Sequence, residues 1–90
     1  MDRILVSIAI SDLGTESIKS TPDLMKKELA YIDLWKTQQL LESFYISVSK
    51  KEAVLIFKNL NEEKCKEMIE TLPYFPYMSK IEYLYLNKQF

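Results

Sequence analysis

Hydrophobic and polar positions along this chain fall into six periodic stretches separated by short polar breaks. From Ile4 to Ile10 the residues are largely branched and apolar, which reads as a strand buried on both faces. Ser11 to Ser20 carries Gly14 and several polar residues and reads as a loop. Ser20-Thr21-Pro22-Asp23 joins a hydroxyl cap, a first-turn proline and an acid near the positive helix end, which predicts a helix start. Met25, Leu29, Ile32 and Trp35 follow at helical spacing, with Lys26, Lys27, Asp33 and Lys36 mostly off that stripe. The helix is therefore expected to run to about Gln38 and to lay this face on a sheet.

Leu41 to Val48 alternates, with Phe44, Ile46 and Val48 on one side and Leu41, Ser43, Tyr45 and Ser47 on the other. A polar break at Ser49-Lys50-Lys51-Glu52 precedes the apolar run Ala53 to Phe57, so the two strands should form an antiparallel hairpin. Asn59 or Asn61 can cap a second helix whose core face is Cys65, Met68, Ile69 and Leu72. Ile81 to Leu86 makes a fourth strand. The order is strand, helix, strand, strand, helix, strand: an α+β, ferredoxin-like βαββαβ fold, a four-stranded antiparallel sheet with two helices on one face. Two helices cover one sheet face, yet both faces carry apolar or aromatic residues, Tyr45, Tyr83 and Tyr85 among them. A second copy packed sheet to sheet, as in a dimeric α/β barrel, would cover them.

The segment between the second helix and the last strand, Leu72-Pro73-Tyr74-Phe75-Pro76-Tyr77-Met78, is the least ordinary of the chain. Proline fixes φ, removes a donor and pushes the preceding residue towards extended geometry, so Leu72 should end the helix and Pro73 to Pro76 should form a rigid elbow. The run resembles the LPLFPYM-like helix-to-strand elbow of the muconolactone isomerase family. The pair Ala30-Tyr31, Phe57 late in the third strand and Ile81-Glu82 opening the fourth fit the same pattern, so the similarity spans more than half of the chain. It implies isomerisation of a lactone carboxylate by proton movement, with no metal or organic cofactor. It also implies barrel dimers that build larger rings, decamers among them. Where family members resemble K-W-R-x-L-W-R at the start of strand two, this chain has Leu40-Leu41-Glu42-Ser43-Phe44-Tyr45-Ile46. Aromatic character persists at Phe44 and Tyr45, and Glu42 stands where the family has cations. An anionic ligand in a pocket needs a cation or several donors; Arg3, Lys50, Lys51 and Lys80 are the candidates to receive one.

Composition narrows the chemistry further. Residues 1–90 suffice for one domain, and 48% apolar content is that of a globular chain. A single glycine excludes Gly-rich phosphate loops. A formal charge of −1 without a basic stripe argues against nucleic acid, and no apolar run reaches the ~20 residues of a membrane span. Cys65 is the only cysteine, so no intramolecular disulfide can form, and with no leader visible a cytoplasmic location is expected. The absence of histidine removes Ser-His and Cys-His nucleophile pairs and His-ligated zinc. Acid–base work then falls to carboxylates, tyrosines, lysines or Cys65, the last on a core stripe where an inert thiol is expected.

Glu42, alone in an apolar strand, is the candidate general base, its pKa expected to rise if it is partly buried. Tyr45 is the candidate donor to an enolate-like oxygen, with Ser47 on the same strand face. Tyr31 and Trp35, four apart on the first helix, would form an aromatic wall, and Tyr77 on the elbow would close the pocket. These six residues are expected to gather around a small-molecule pocket between that helix and the sheet. Two other readings use the same scaffold: a cofactor-independent oxygenase of quinol-like substrates, and a non-catalytic oligomeric ligand-binding protein.

Overall fold

A computed structural model describes residues 2–90. Along the chain run β1 (Arg3–Ile10), α1 (Asp12–Lys19), α2 (Leu24–Thr37), β2 (Leu41–Ile46), β3 (Glu52–Phe57), α3 (Glu62–Glu70) and β4 (Met78–Leu86). The sheet order is β2-β3-β1-β4 with every neighbouring pair antiparallel. This is the ferredoxin-like α+β fold, carrying one short helix more than the hydrophobic pattern suggests.

That extra helix, α1, occupies the segment expected to be a loop. Its apolar content is low, and local hydrogen bonds form it instead. Ser11 Oγ accepts from the Gly14 N–H at 3.1 Å, capping the first turn. Thr15 and Ser17 hydroxyls then donate to carbonyls one turn back, those of Ser11 and Leu13. Ser20 closes this helix through its N–H on the Glu16 carbonyl and does not open the next one. Pro22 and Asp23 consequently lie in the turn between α1 and α2, and the Asp23 side chain makes no cap hydrogen bond.

α2 is rotated relative to its expected face. Its buried positions are Glu28, Ile32 and Trp35, whereas Met25 and Leu29 are about half exposed. Ile32 and Trp35 join the core beneath α3, whose Cys65, Met68 and Ile69 are buried as the spacing requires. Asn61, the second of the two possible caps, accepts from the Lys64 N–H at 2.8 Å. The sheet side of the core is Ile4, Val6 and Ile8 of β1 with Leu55 and Phe57 of β3.

Register assigns the strand faces. Tyr83 pairs with Val6 and Tyr85 with Ile4, so both tyrosines lie on the helix-covered face, not on the open one. There Tyr83 packs against the core with the Lys66 Nζ 5.4 Å above its ring, and burial pushes its phenol up to about 12. In β2 the register shifts between Leu41 and Ser43, so Glu42 forms a bulge and the simple alternation fails there. Leu41, opposite Phe57, is buried on the helix side, where the more exposed Phe44 also points, whereas Tyr45, opposite Val54, faces outward. The open face therefore presents Leu5, Val54, Ile56, Leu84 and Tyr45, the last two more than half exposed. No helix among the described residues is long and apolar enough to cross a membrane.

Candidate functional site

Leu29, Asp33 and Lys36 are spaced four and three apart and so share one flank of α2. That flank looks onto β2, an edge strand, which leaves the helix-side surface of Phe44 and the bulge at Glu42 uncovered. Between them lies a cleft of about 500 Å³. Leu29, Ile32 and Phe44 give it an apolar wall, Asp33 and Lys36 supply charge from α2, and the bulge at Glu42 and Ser43 forms its edge. A cleft with one apolar side and a few converging polar groups suits a small organic molecule with an oxygenated end.

Glu42 is held from across the sheet. The Arg3 Nε lies 3.1 Å from each Glu42 carboxylate oxygen, and a second guanidinium nitrogen is 3.0 Å from Oε2. β1 and β2 are separated by β3, so the arginine spans the open face to reach the bulge. Its hydrogen bond holds the Glu42 carboxyl below the usual glutamate range, and Lys88 and Lys58 add to the effect. The expected upward shift is thus reversed. Glu42 is partly exposed, and the local cation comes from the first strand, where β2 itself has none.

Of the six residues anticipated around a pocket, Glu42 is the one that lines the cleft. Trp35 is 4% exposed and spends its ring on the core, 5.7 Å from Phe57 at 59°. Tyr31 stacks edge-on against Trp35 at 6.1 Å. Tyr45 lies on the open face, and Ser47 belongs to the hairpin turn, where its Oγ accepts from the Glu52 N–H and bonds Ser49 Oγ. Tyr77 sits in the 3₁₀ turn of the elbow. The aromatic wall is a core contact and does not line the cleft, because the face of α2 that meets the sheet carries Trp35 while the cleft flank carries Leu29 and Lys36.

Two buried titratable groups, Glu28 and Cys65, lie elsewhere. Glu28 is 9% exposed on the core stripe of α2, and burial pushes its carboxyl up to about 7 despite one hydrogen bond from the Tyr74 N–H. Its signal in the sequence is its spacing, four before Ile32 and seven before Trp35, on a face otherwise apolar. Cys65 is fully buried and its thiol is pushed up to about 11 by that burial, which leaves it unreactive. Among the described residues no three histidine, cysteine or carboxylate side chains converge as metal ligands would.

No protein family model matches the chain, and no curated protein is similar to it in sequence. Among solved structures, a 5-chloro-2-hydroxyhydroquinone dehydrochlorinase from Burkholderia phenoliruptrix AC1100, determined in complex with 2,5-dihydroxybenzoquinone, superposes with a TM-score of 0.74. The match covers 94% of this chain and 93% of that one at 12% identity. At that identity the likeness is one of fold, and it places this chain's ferredoxin-like architecture beside that of a small enzyme.

Proposed function

We propose that this chain is a small muconolactone isomerase-like enzyme that moves a proton within a lactone or enol acid, without a cofactor, in the cleft between α2 and β2. The observation that carries this reading is the cleft itself, an apolar wall of Leu29, Ile32 and Phe44 facing the polar groups of the bulge. Glu42, whose carboxyl the Arg3 hydrogen bond holds further below its ordinary 4.5, is the proton acceptor at the edge of the cleft. It takes a proton from a carbon beside the substrate carbonyl and returns it to the conjugated carbon, so that no proton is gained or lost. Lys36 receives the negative charge that develops on the substrate oxygen. The dehydrochlorinase of the same fold acts on an oxygenated six-membered ring, which supports a substrate of that general kind.

In this reading two copies close sheet against sheet, with Tyr45 at the seam. One observation favours a second reading. Arg3 already engages both oxygens of Glu42, as it would in an assembly or ligand-binding protein that no longer turns substrate over.

The deciding experiment follows muconolactone isomerisation by ultraviolet absorbance with the native protein and with Glu42→Gln and Lys36→Ala. Turnover that falls more than about a hundredfold in Glu42→Gln fits a general base. Absence of turnover at high enzyme concentration excludes this substrate, and equal turnover in all three proteins excludes the cleft.

A further inference from the structure

Glu28 takes no part in the cleft chemistry, yet it is the one charged residue among the described residues that is buried. It occupies the middle of α2, on the stripe that also buries Ile32 and Trp35. Its Oε1 accepts the N–H of Tyr74 at 3.0 Å, a contact between residues 46 apart in sequence. Tyr74 immediately precedes the 3₁₀ turn Phe75–Tyr77, so this bond fastens the elbow to α2 at the point where the chain turns into β4. The same elbow meets α1 at Gly14, where the Tyr77 carbonyl comes so near that a Cβ would stand 2.8 Å from it. The elbow is thus clamped between two helices, and a carboxyl supplies one of the clamps.

The elbow brings one titratable group to Glu28, the Tyr74 phenol, whose own ionisation is opposed by burial and by the carboxylate. From α1, α3, the sheet and the remainder of α2, no cation compensates a charge at Glu28 among the described residues; apolar burial outweighs the single backbone donor. A neutral carboxyl fits this seat, and an ionised one is drawn towards water.

We propose that Glu28 is a proton-controlled latch that holds the elbow against α2 when neutral and loosens it when ionised. The sign follows from linkage. In the closed elbow the carboxyl titrates at about 7, whereas a freed glutamate titrates near its ordinary 4.5. The latch is fully engaged below the lower value, weakens as pH rises between the two, and stays weak above the upper one. Opening that frees Glu28 should become easier by about tenfold per pH unit in that window, up to about three-hundredfold in all.

The test is nuclear magnetic resonance of the native protein from pH 4.5 to 8.5, following the Glu28 side-chain carbonyl carbon and the hydrogen-exchange protection of the Tyr74 and Tyr77 amides. The latch predicts a carboxyl midpoint near 7 and a protection factor at Tyr74 that falls across the window and then levels. In Glu28→Gln, whose amide oxygen can still accept the Tyr74 N–H, protection should be independent of pH. An ordinary carboxylate midpoint, or protection at Tyr74 that stays flat while Glu28 titrates, overturns the proposal. So does a fall that persists in Glu28→Gln, and the native protein alone decides the matter if that variant does not fold.

Discussion

Gly14 does not owe its place to backbone freedom, since no glycine among the described residues has positive φ. It owes it to proximity: a Cβ there would stand 2.8 Å from the Tyr77 carbonyl oxygen and 2.9 Å from the Ile10 Cγ2. Alanine is the better helix former by about 1 kcal/mol, so on an open helix Gly14→Ala would stabilise. Here the nearer obstacle is backbone oxygen in a proline-stiffened elbow, which cannot swing aside as a side chain can. Overpacking of this kind costs about 1–3 kcal/mol, so the clash wins and Gly14→Ala is expected to be less stable by roughly 1 kcal/mol. Urea unfolding would show a lower midpoint at unchanged slope, and a raised midpoint would mean that the elbow yields.

At the scale of elements, β1, β3, β4 and α3 are legible because each follows a simple rule, whereas in β2 the alternation breaks at the Glu42 bulge. β1 is apolar on both faces, and Cys65, Met68, Ile69 and Leu72 repeat at the helical period. The elbow was legible because two prolines leave the chain few options. α1 was not, since an eight-residue helix closed by hydroxyls bonded to neighbouring carbonyls resembles a polar loop in composition. The phase of α2 differs from the Met25, Leu29, Ile32 and Trp35 stripe that the apolar spacing predicts. An acid at Glu28 looks like a surface position, whereas burial with a backbone donor makes it part of the core stripe. For the site, Glu42 was visible as an acid in an apolar strand. The bulge that turns it and the arginine that reaches it depend on pairing across β3, which no local pattern encodes. That pairing has a measurable consequence. In Arg3→Ala the Glu42 carboxyl should titrate higher, towards the ordinary 4.5, because its main hydrogen-bond donor is gone. Carbon-13 titration of the side chain would show the rise, and an unchanged midpoint would assign the depression to Lys58 and Lys88.

At the scale of the whole molecule, the helices cover one sheet face and leave the other with Leu5, Val54, Ile56, Leu84 and Tyr45. A contiguous apolar sheet face of this kind is the usual mark of an interface in so small a domain, whose own core buries only about 60% of the unfolded surface. Pairing two such faces would bury these side chains and bring the partner beside the Arg3–Glu42 pair, while the α2 flank of the cleft opens on the other side of β2. Leu84 lies on β4 and is 56% exposed in the single chain, so a lysine there is tolerated by the isolated fold. Between two packed sheets the same lysine would be stripped of water, a cost of several kcal/mol per interface. The native chain is accordingly expected to sediment at twice its 10.7 kDa or a higher multiple. Leu84→Lys should sediment as the monomer with unaltered far-ultraviolet circular dichroism. A native protein that is monomeric at hundred-micromolar concentration would refute the pairing. If instead Leu84→Lys remained dimeric, the interface would lie elsewhere, with the free edge of β2 as the next surface to test.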